Sequence, residues 1–175
     1  MSMKGIMMNT LERFRQEKDQ FFKNDQNSPL TAEQKLAFTK LNYYPENTTL
    51  RMELPMEMVT PPQTVNMITS TGDRRDYIHK ARIRFDVDGQ EAVLQVYEDA
   101  FGLYFLPFVD ATAPQETYGA GRYLEPEEIR TGVLLVDFNL AYNPFCAYND
   151  RWSCPIPPYE NRLKLRIEAG EKKLY

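Results

Sequence analysis

Before Tyr43 the apolar positions recur with a helical period, and from Tyr43 onward they recur with a period of two. In "NTLERFRQEKDQFFKND", Leu11, Phe14, Phe21 and Phe22 share one stripe, with charge elsewhere. Asn9 and Glu12 stand three apart, as a capping box requires: a side-chain acceptor for free backbone N–H groups, and a carboxylate reaching back. "SPLTAEQKLAFTKL" repeats the logic on a shorter helix. There Thr31 and Gln34 form the box, and Leu36, Phe38 and Leu41 supply apolar surface. Both segments are expected to be core-covering helices.

The strand signals follow. In "TLRMEL", Leu50, Met52 and Leu54 alternate with Arg51 and Glu53. "TVNMITS" is a weaker strand, reached through the Pro-rich connection Met58 to Thr64 and followed by a turn at "STGDRR". The clearest pattern is "HKARIRFDVDGQEAVLQVYE". Ala81, Ile83, Phe85 and Val87 alternate with charge, Asp88-Gly89 supplies the positive backbone angles of a tight hairpin turn, and Ala92, Leu94 and Val96 return. "GLYFLPFVD" and "GVLLVDF" are continuous apolar runs, which suit strands buried on both faces, and "RLKLRIEAG" alternates again through Leu163, Leu165 and Ile167. Two N-terminal helices followed by about seven strands with short connections predict a mainly β (α+β) protein. Its expected form is an antiparallel β-sandwich or partly open barrel.

Length and composition sharpen this picture. A chain of 175 residues suits a single domain over 1–175, with residues 1–8 as an N-terminal extension, and it can bury a core without disulfides or metals. The net charge of −4 argues against nucleic acid or an anionic membrane as partner. No apolar run approaches the roughly 20 residues needed to span a bilayer. The opening "MSMKGIMMNT" has no extended apolar stretch, so no signal peptide is expected. Two Cys do not make a secreted disulfide framework, and the cytoplasm is the expected compartment.

Several chemistries fall away on motif grounds. His79 is the only histidine, no phosphate loop or CxxC occurs, and "GAGRYL" gives only a GxG, without the third glycine of a dinucleotide fingerprint. No cofactor and no metal site is therefore expected. Cys146 and Cys154 are eight residues apart, which is not a zinc knuckle, and buried thiols are the common fate of such residues.

Three stretches can still carry a site. "DATAPQETYGAGRYLEP" leaves a buried strand and wanders. Gly119 and Gly121 let its backbone approach a ligand, and Arg122 presents a planar fork to a carboxylate or phosphate, or else pairs with Asp110 or Asp137 as part of the fold. Asp137 ends "GVLLV" on the face shared by Asn139. It stands either at a pocket mouth or in a buried pair. In "NLAYNPFCAYNDRWSCPIPPYEN", Pro144, Pro155, Pro157 and Pro158 forbid regular structure. Tyr142, Phe145, Tyr148, Trp152 and Tyr159 must then hold a long, ordered, Ω-like lid.

"ETYGAGRYL", "DFNLAYNPFCAYNDRWSCPIPPYENRL" and "RIEAGEK", with the opening "LERFRQEKDQFF", resemble a bacterial and archaeal family of uncharacterised proteins, a domain of unknown function, number 1684. The resemblance runs from Leu11 to Lys172 and implies motif positions, but no activity. Among those positions are Tyr118, Gly119, Gly121, Arg122, Asp137, Asn139, Tyr142, Asn143, Cys146 and Tyr148. Two readings follow. One is a site for a small, anionic molecule at one end of the β-structure, with Asp137, Arg122 and Cys146 as reactive or anchoring groups. Its ligand walls would be Tyr118, Gly119, Gly121, Asn139, Tyr142, Asn143 and Tyr148. The other is a protein-interaction or purely structural module using the aromatic segment 142–159, which requires exposed rings if partners bind there. The oligomeric state is not legible.

Overall fold

Both capping boxes close, and each starts a helix. Asn9 Oδ1 accepts the Glu12 N–H at 2.7 Å, the Glu12 carboxylate accepts the Asn9 N–H at 3.2 Å, and α1 runs Thr10–Asn24. Thr31 and Gln34 do the same for α2, Ala32–Ala37. In the computed structural model, which describes residues 8–175, the helices fall in one compact unit, Met1–Leu41, and the sheets in a second, Asn42–Tyr175. Of the expected extension 1–8, all but Met8 lies outside the described residues. Within the helical unit Phe22 stacks on Phe38 at 6.0 Å, and the Lys23 ammonium donates to the Lys35 and Phe38 carbonyls at 2.7 Å each. Leu36 does not join this apolar surface. It is 85% exposed, because a helix of six residues completes too few turns to form a second stripe.

The second unit holds eight strands: β1 (Arg51–Pro55), β2 (Glu57–Ile68), β3 (Arg74–Val87), β4 (Gln90–Glu98), β5 (Tyr104–Phe108), β6 (Arg122–Leu124), β7 (Glu127–Arg130) and β8 (Val133–Asp137). They form two open antiparallel sheets, in the orders β1-β8-β7 and β2-β3-β4-β5-β6. The β3–β4 hairpin turns at Asp88 and Gly89, with φ of 49° and 79°, and puts Ala81, Ile83 and Phe85 opposite Val96, Leu94 and Ala92. These six residues pack with Leu54, Leu134 and Val136 of the other sheet in one core. The fold is a β-sandwich, not a closed barrel.

Two expectations change. The Pro-rich stretch Met58 to Thr64 is part of β2 and not a connection. β2 is an edge strand, and its register breaks between Met58 and Gln63, where Pro61 and Pro62 have no N–H to give. "RLKLRIEAG" alternates in burial, with Leu165, Ile167 and Ala169 inside, yet belongs to no strand. Its first half bonds to the backbone of Val109 and Ala111, and its second half to side chains: Asp110 accepts the Ile167 N–H at 2.7 Å, and Arg122 donates to the carbonyls of Ile167 and Ala169. A period of two records which side chains go inside, and says nothing of what the backbone bonds to.

The Pro- and Tyr-rich stretch is ordered but irregular, broken by single turns at Phe145–Ala147 and Tyr159–Asn161. Asn161, fully buried, fixes its far end. Oδ1 accepts the Gln95 N–H at 2.7 Å, and Nδ2 donates to the carbonyls of Gln95 at 2.9 Å and Pro107 at 2.7 Å. Near its middle the Ser70 N–H donates to the Cys154 carbonyl at 2.9 Å and the Ile156 N–H to that of Ile68 at 2.9 Å, so the stretch closes one end of the sandwich.

Candidate functional site

The residues singled out in the sequence separate into three environments. Arg122 and Asp110 form the first. Arg122 sits on β6 between β5 and the irregular stretch after Leu165, and is 1% exposed. Its Nη2 donates to Asp110 Oδ1 at 3.1 Å and to the Ile167 carbonyl at 2.9 Å. Nη1 donates to the carbonyls of Ala169 at 2.5 Å and Glu171 at 3.2 Å, and the guanidinium lies over the Phe108 ring. Asp110 also takes the Thr112 hydroxyl and N–H. Burial pulls the Arg122 pKa down, and the Asp110 carboxylate opposes that pull. The fork is engaged with the protein itself, and an incoming anion would have to displace four acceptors. Gly121, beside it, has φ of 100°, and a Cβ there would lie 2.5 Å from the Phe108 carbonyl oxygen. Its close approach is therefore to its own chain. Gly119 is exposed, with a Cβ position 3.3 Å from Pro114.

Asp137 and Asn139 form the second. Asp137, last in β8, receives the half-exposed Arg51 guanidinium at 2.8 Å and caps the following turn by accepting the Asn139 N–H at 3.0 Å. The Asn139 amide brackets Asn47, accepting its N–H at 2.8 Å and donating to its carbonyl at 2.9 Å. These contacts anchor the approach to β1, and none of them reaches Cys146 or Arg122.

The third environment does gather several of the candidates. The Glu171 N–H bonds to the Ala141 carbonyl at 2.9 Å. At Gly170 a Cβ would stand 2.7 Å from the carbonyl oxygens of both Ala141 and Phe138, so only glycine lets the chain pass so close. That passage sets the fully buried Glu171 carboxylate against the Tyr148 hydroxyl, which donates to it. Burial, then the Glu171 charge, push the Tyr148 pKa up and keep the phenol protonated. Asn143, 2% exposed, spends both amide hydrogens, one on Tyr148 Oη at 3.2 Å and one on the Lys172 carbonyl at 3.0 Å. Its Oδ1 has no hydrogen-bond partner. Asn143 lines a cavity of 130 Å³ with Tyr118, Ala147, Tyr148, Lys173, Leu174 and Tyr175. A buried acceptor left open costs about 1–3 kcal/mol, so this one is conspicuous.

Behind the cavity wall lie the thiols. Tyr118 Oη is 3.6 Å from Cys146 Sγ, and Cys146 packs against the cluster that holds Cys154, both cysteines being free. The Cys154 thiol, then the Tyr118 hydroxyl, favour charge on Cys146, whose pKa is lowered against the effect of burial; that of Cys154 is raised, chiefly by Cys146. Cys146 is the less buried member and has the Tyr118 hydroxyl beside it, so the negative charge belongs there. Phe145 packs edge-on against Trp152 at 5.2 Å, and both pack with Cys154, Met67, Tyr97, Phe105 and Tyr123. Tyr142 belongs to this wall too, edge-on to Tyr123 at 5.9 Å with its hydroxyl donated to Glu125. The aromatic segment is thus mostly covered: Tyr148 is buried, Tyr142, Phe145 and Trp152 are half-buried, and Tyr159 is 84% exposed.

Tyr118, Asn143, Cys146 and Tyr148 therefore share one site, and Arg122, Asp137 and Asn139 stand elsewhere. Cys154, Ser70 and Glu171 complete the neighbourhood. Glu171 lies in the quoted "RIEAGEK", but Ser70 reaches the thiols only because β2 ends beside Cys154, which no local pattern announces. Among the described residues no group of three His, Cys, Asp or Glu gathers to hold a metal, and no helix is long and apolar enough to cross a membrane.

These features define a mainly β protein in which two open antiparallel sheets are closed at one end by an irregular aromatic segment over a small polar cavity. The chain belongs to the family described as "Protein of unknown function (DUF1684)", whose model matches residues 36–172. It is similar to the solution NMR structure of an uncharacterized protein from Haloarcula marismortui, at 37% identity and a TM-score of 0.70, over 93% of this chain and 91% of that one. No curated protein matches it.

Proposed function

We propose that the protein binds a small anionic molecule carrying an O–H or N–H donor in the cavity beside Asn143. The observation that carries this reading is the open acceptor, Asn143 Oδ1, on a residue whose two donors are already committed. Lys173, the one cationic side chain among the lining residues, favours a carboxylate, and Ala147 and Leu174 suit a short carbon chain. At 130 Å³ the space falls below the 300–1,000 Å³ usual for drug-sized ligands, so the occupant is a few-atom metabolite or the end of a larger one. Oδ1 is closed to solvent, and the donor reaches it as the wall at Leu174 and the exposed Tyr175 gives way. The interaction reading draws support from Tyr159 alone. Two free cysteines suit a reducing compartment such as the cytoplasm.

Glycolate and acetate differ by one hydroxyl and test the proposal by calorimetric titration. Glycolate is expected to bind at least about tenfold more tightly than acetate, since a site with a buried unpaired acceptor discriminates strongly for the missing donor. Asn143→Leu is expected to abolish that preference. Equal affinities, or a preference surviving in the variant, would contradict it.

A further inference from the structure

The Cys146–Cys154 pair calls for an explanation that the cavity does not supply. Buried cysteines in a core are ordinarily inert single thiols. Here two thiols lie in one packed cluster and act on each other's titration, within a stretch of chain that is irregular on both sides, so they can approach each other without breaking a strand or helix. The two are also unequal. Cys146 is half-buried, in the single turn Phe145–Ala147, while Cys154 is buried, 9% exposed. The Tyr118 hydroxyl lies 3.6 Å from the outer sulfur, and Ser70 ties down the chain beside the inner one, donating to the Trp152 carbonyl at 3.0 Å and accepting from the Cys154 N–H at 3.1 Å. Arg75, whose Nη2 bonds the Ser153 carbonyl at 2.7 Å, brings a positive charge to the same corner, favouring negative charge on Cys154 in turn. An outer thiol beside a hydroxyl donor, with an inner thiol in the same cluster, is the arrangement of an attacking and a resolving cysteine.

We propose that Cys146 and Cys154 form a hydroperoxide-reactive dithiol, with Cys146 the attacking thiol and Cys154 the resolving one. In the first step the Cys146 sulfur attacks the terminal oxygen of a hydroperoxide. An S–O bond forms, the O–O bond breaks, sulfur is oxidised by two electrons to a sulfenic acid, and the peroxide leaves as an alcohol, or as water from hydrogen peroxide, after taking a proton. In the second step Cys154 attacks the Cys146 sulfur. An S–S bond forms, the S–O bond breaks, and hydroxide leaves with the Cys154 proton as water. The net change is two thiols and one hydroperoxide to one disulfide, one alcohol and one water. The depressed pKa of Cys146 and the raised pKa of Cys154 agree with these roles, since the thiolate is the nucleophile. The Tyr118 hydroxyl, placed to donate to the Cys146 thiolate, is a positioning group. The proposal does not depend on a ligand in the neighbouring cavity.

The test treats the folded full chain with hydrogen peroxide at pH 7, quenches by alkylation and counts free thiols by denaturing, non-reducing mass spectrometry. Thiol count is the readout because eight methionines also take up oxygen. Both thiols are expected to disappear together with a loss of about 2 Da, restored by dithiothreitol, at least about tenfold faster than in the urea-unfolded chain. Cys154→Ser is expected to hold Cys146 as a sulfenic acid, about 16 Da heavier and reactive to dimedone, and Cys146→Ser to leave Cys154 alkylatable. Peptide mapping of the wild type finds the Cys146–Cys154 link even if a variant fails to fold. Thiols that survive peroxide, or vanish no faster than in the unfolded chain, would overturn the proposal, as would a Cys146→Ser variant oxidised at the wild-type rate.

Discussion

Two buried polar regions lie at opposite ends of the segment Asp110–Tyr148 in sequence, and they differ in what they leave undone. Around Arg122 a guanidinium, a carboxylate and two hydroxyls are almost wholly engaged: four acceptors on the guanidinium, and Arg122, Ile167 and Thr112 on Asp110. Only Nε is without a partner, and Arg122 does not line the cavity beside Asn143. Around Asn143 the donors are spent, one acceptor is open, the residue lines a cavity, and a thiol stands 3.6 Å from Tyr118 of the same wall. Both regions hold residues that look chemical in the sequence. The difference teaches that a charged or polar residue type does not mark a site by itself; what marks it is hydrogen-bonding capacity that the fold does not use.

Breaking the first region should have the largest effect. Asp110→Ala leaves the Arg122 charge buried without its counter-ion and frees the Ile167 N–H, so a loss of roughly 3–5 kcal/mol is expected in urea unfolding. A loss below about 1 kcal/mol would mean that the clamp is not holding the stretch Ile167 to Glu171. Arg51→Ala tests the pair at Asp137. Arg51 is 55% exposed, so screening limits the cost to under about 1 kcal/mol, and unaltered glycolate binding is expected alongside. The smallest effect belongs to Asn143→Leu. It forfeits two hydrogen bonds but removes a buried open acceptor, and these offset, so stability is expected to change by less than about 1 kcal/mol although binding is lost. A collapse of stability in that variant would move Asn143 into the same structural class as Asp110.

Most of the fold was legible because its signals are local. The two capping boxes each span four residues, and the Asp88-Gly89 hairpin is written in consecutive alternation on both sides of the turn. The failures are non-local. Nothing within "RLKLRIEAG" tells that the side chains of Asp110 and Arg122 take up its backbone around Ile167, and β6 is too short to show a period. Edge position, which makes Pro61 and Pro62 tolerable in β2, is a property of the sheet order and not of the stretch itself. At the site, the motif positions Tyr118, Asn143, Cys146 and Tyr148 converge, because one ordered segment carries three of them. Arg122 and Asp137 carry the right functional groups, but the partners that engage them in this fold lie strands away. Gly121 bends as expected, toward Phe108 and not toward a ligand.

The most direct measurement follows the side-chain amide signal of Asn143 in a ¹H–¹⁵N spectrum as glycolate is added, with acetate as control. A donor delivered to Oδ1 polarises that amide, so a saturable shift confined to Asn143, Tyr148 and the residues lining the cavity is expected with glycolate and not with acetate. An Asn143 signal that stays fixed while shifts appear around Arg122 or Asp137, or none anywhere, would contradict the assignment of the open acceptor as the binding group.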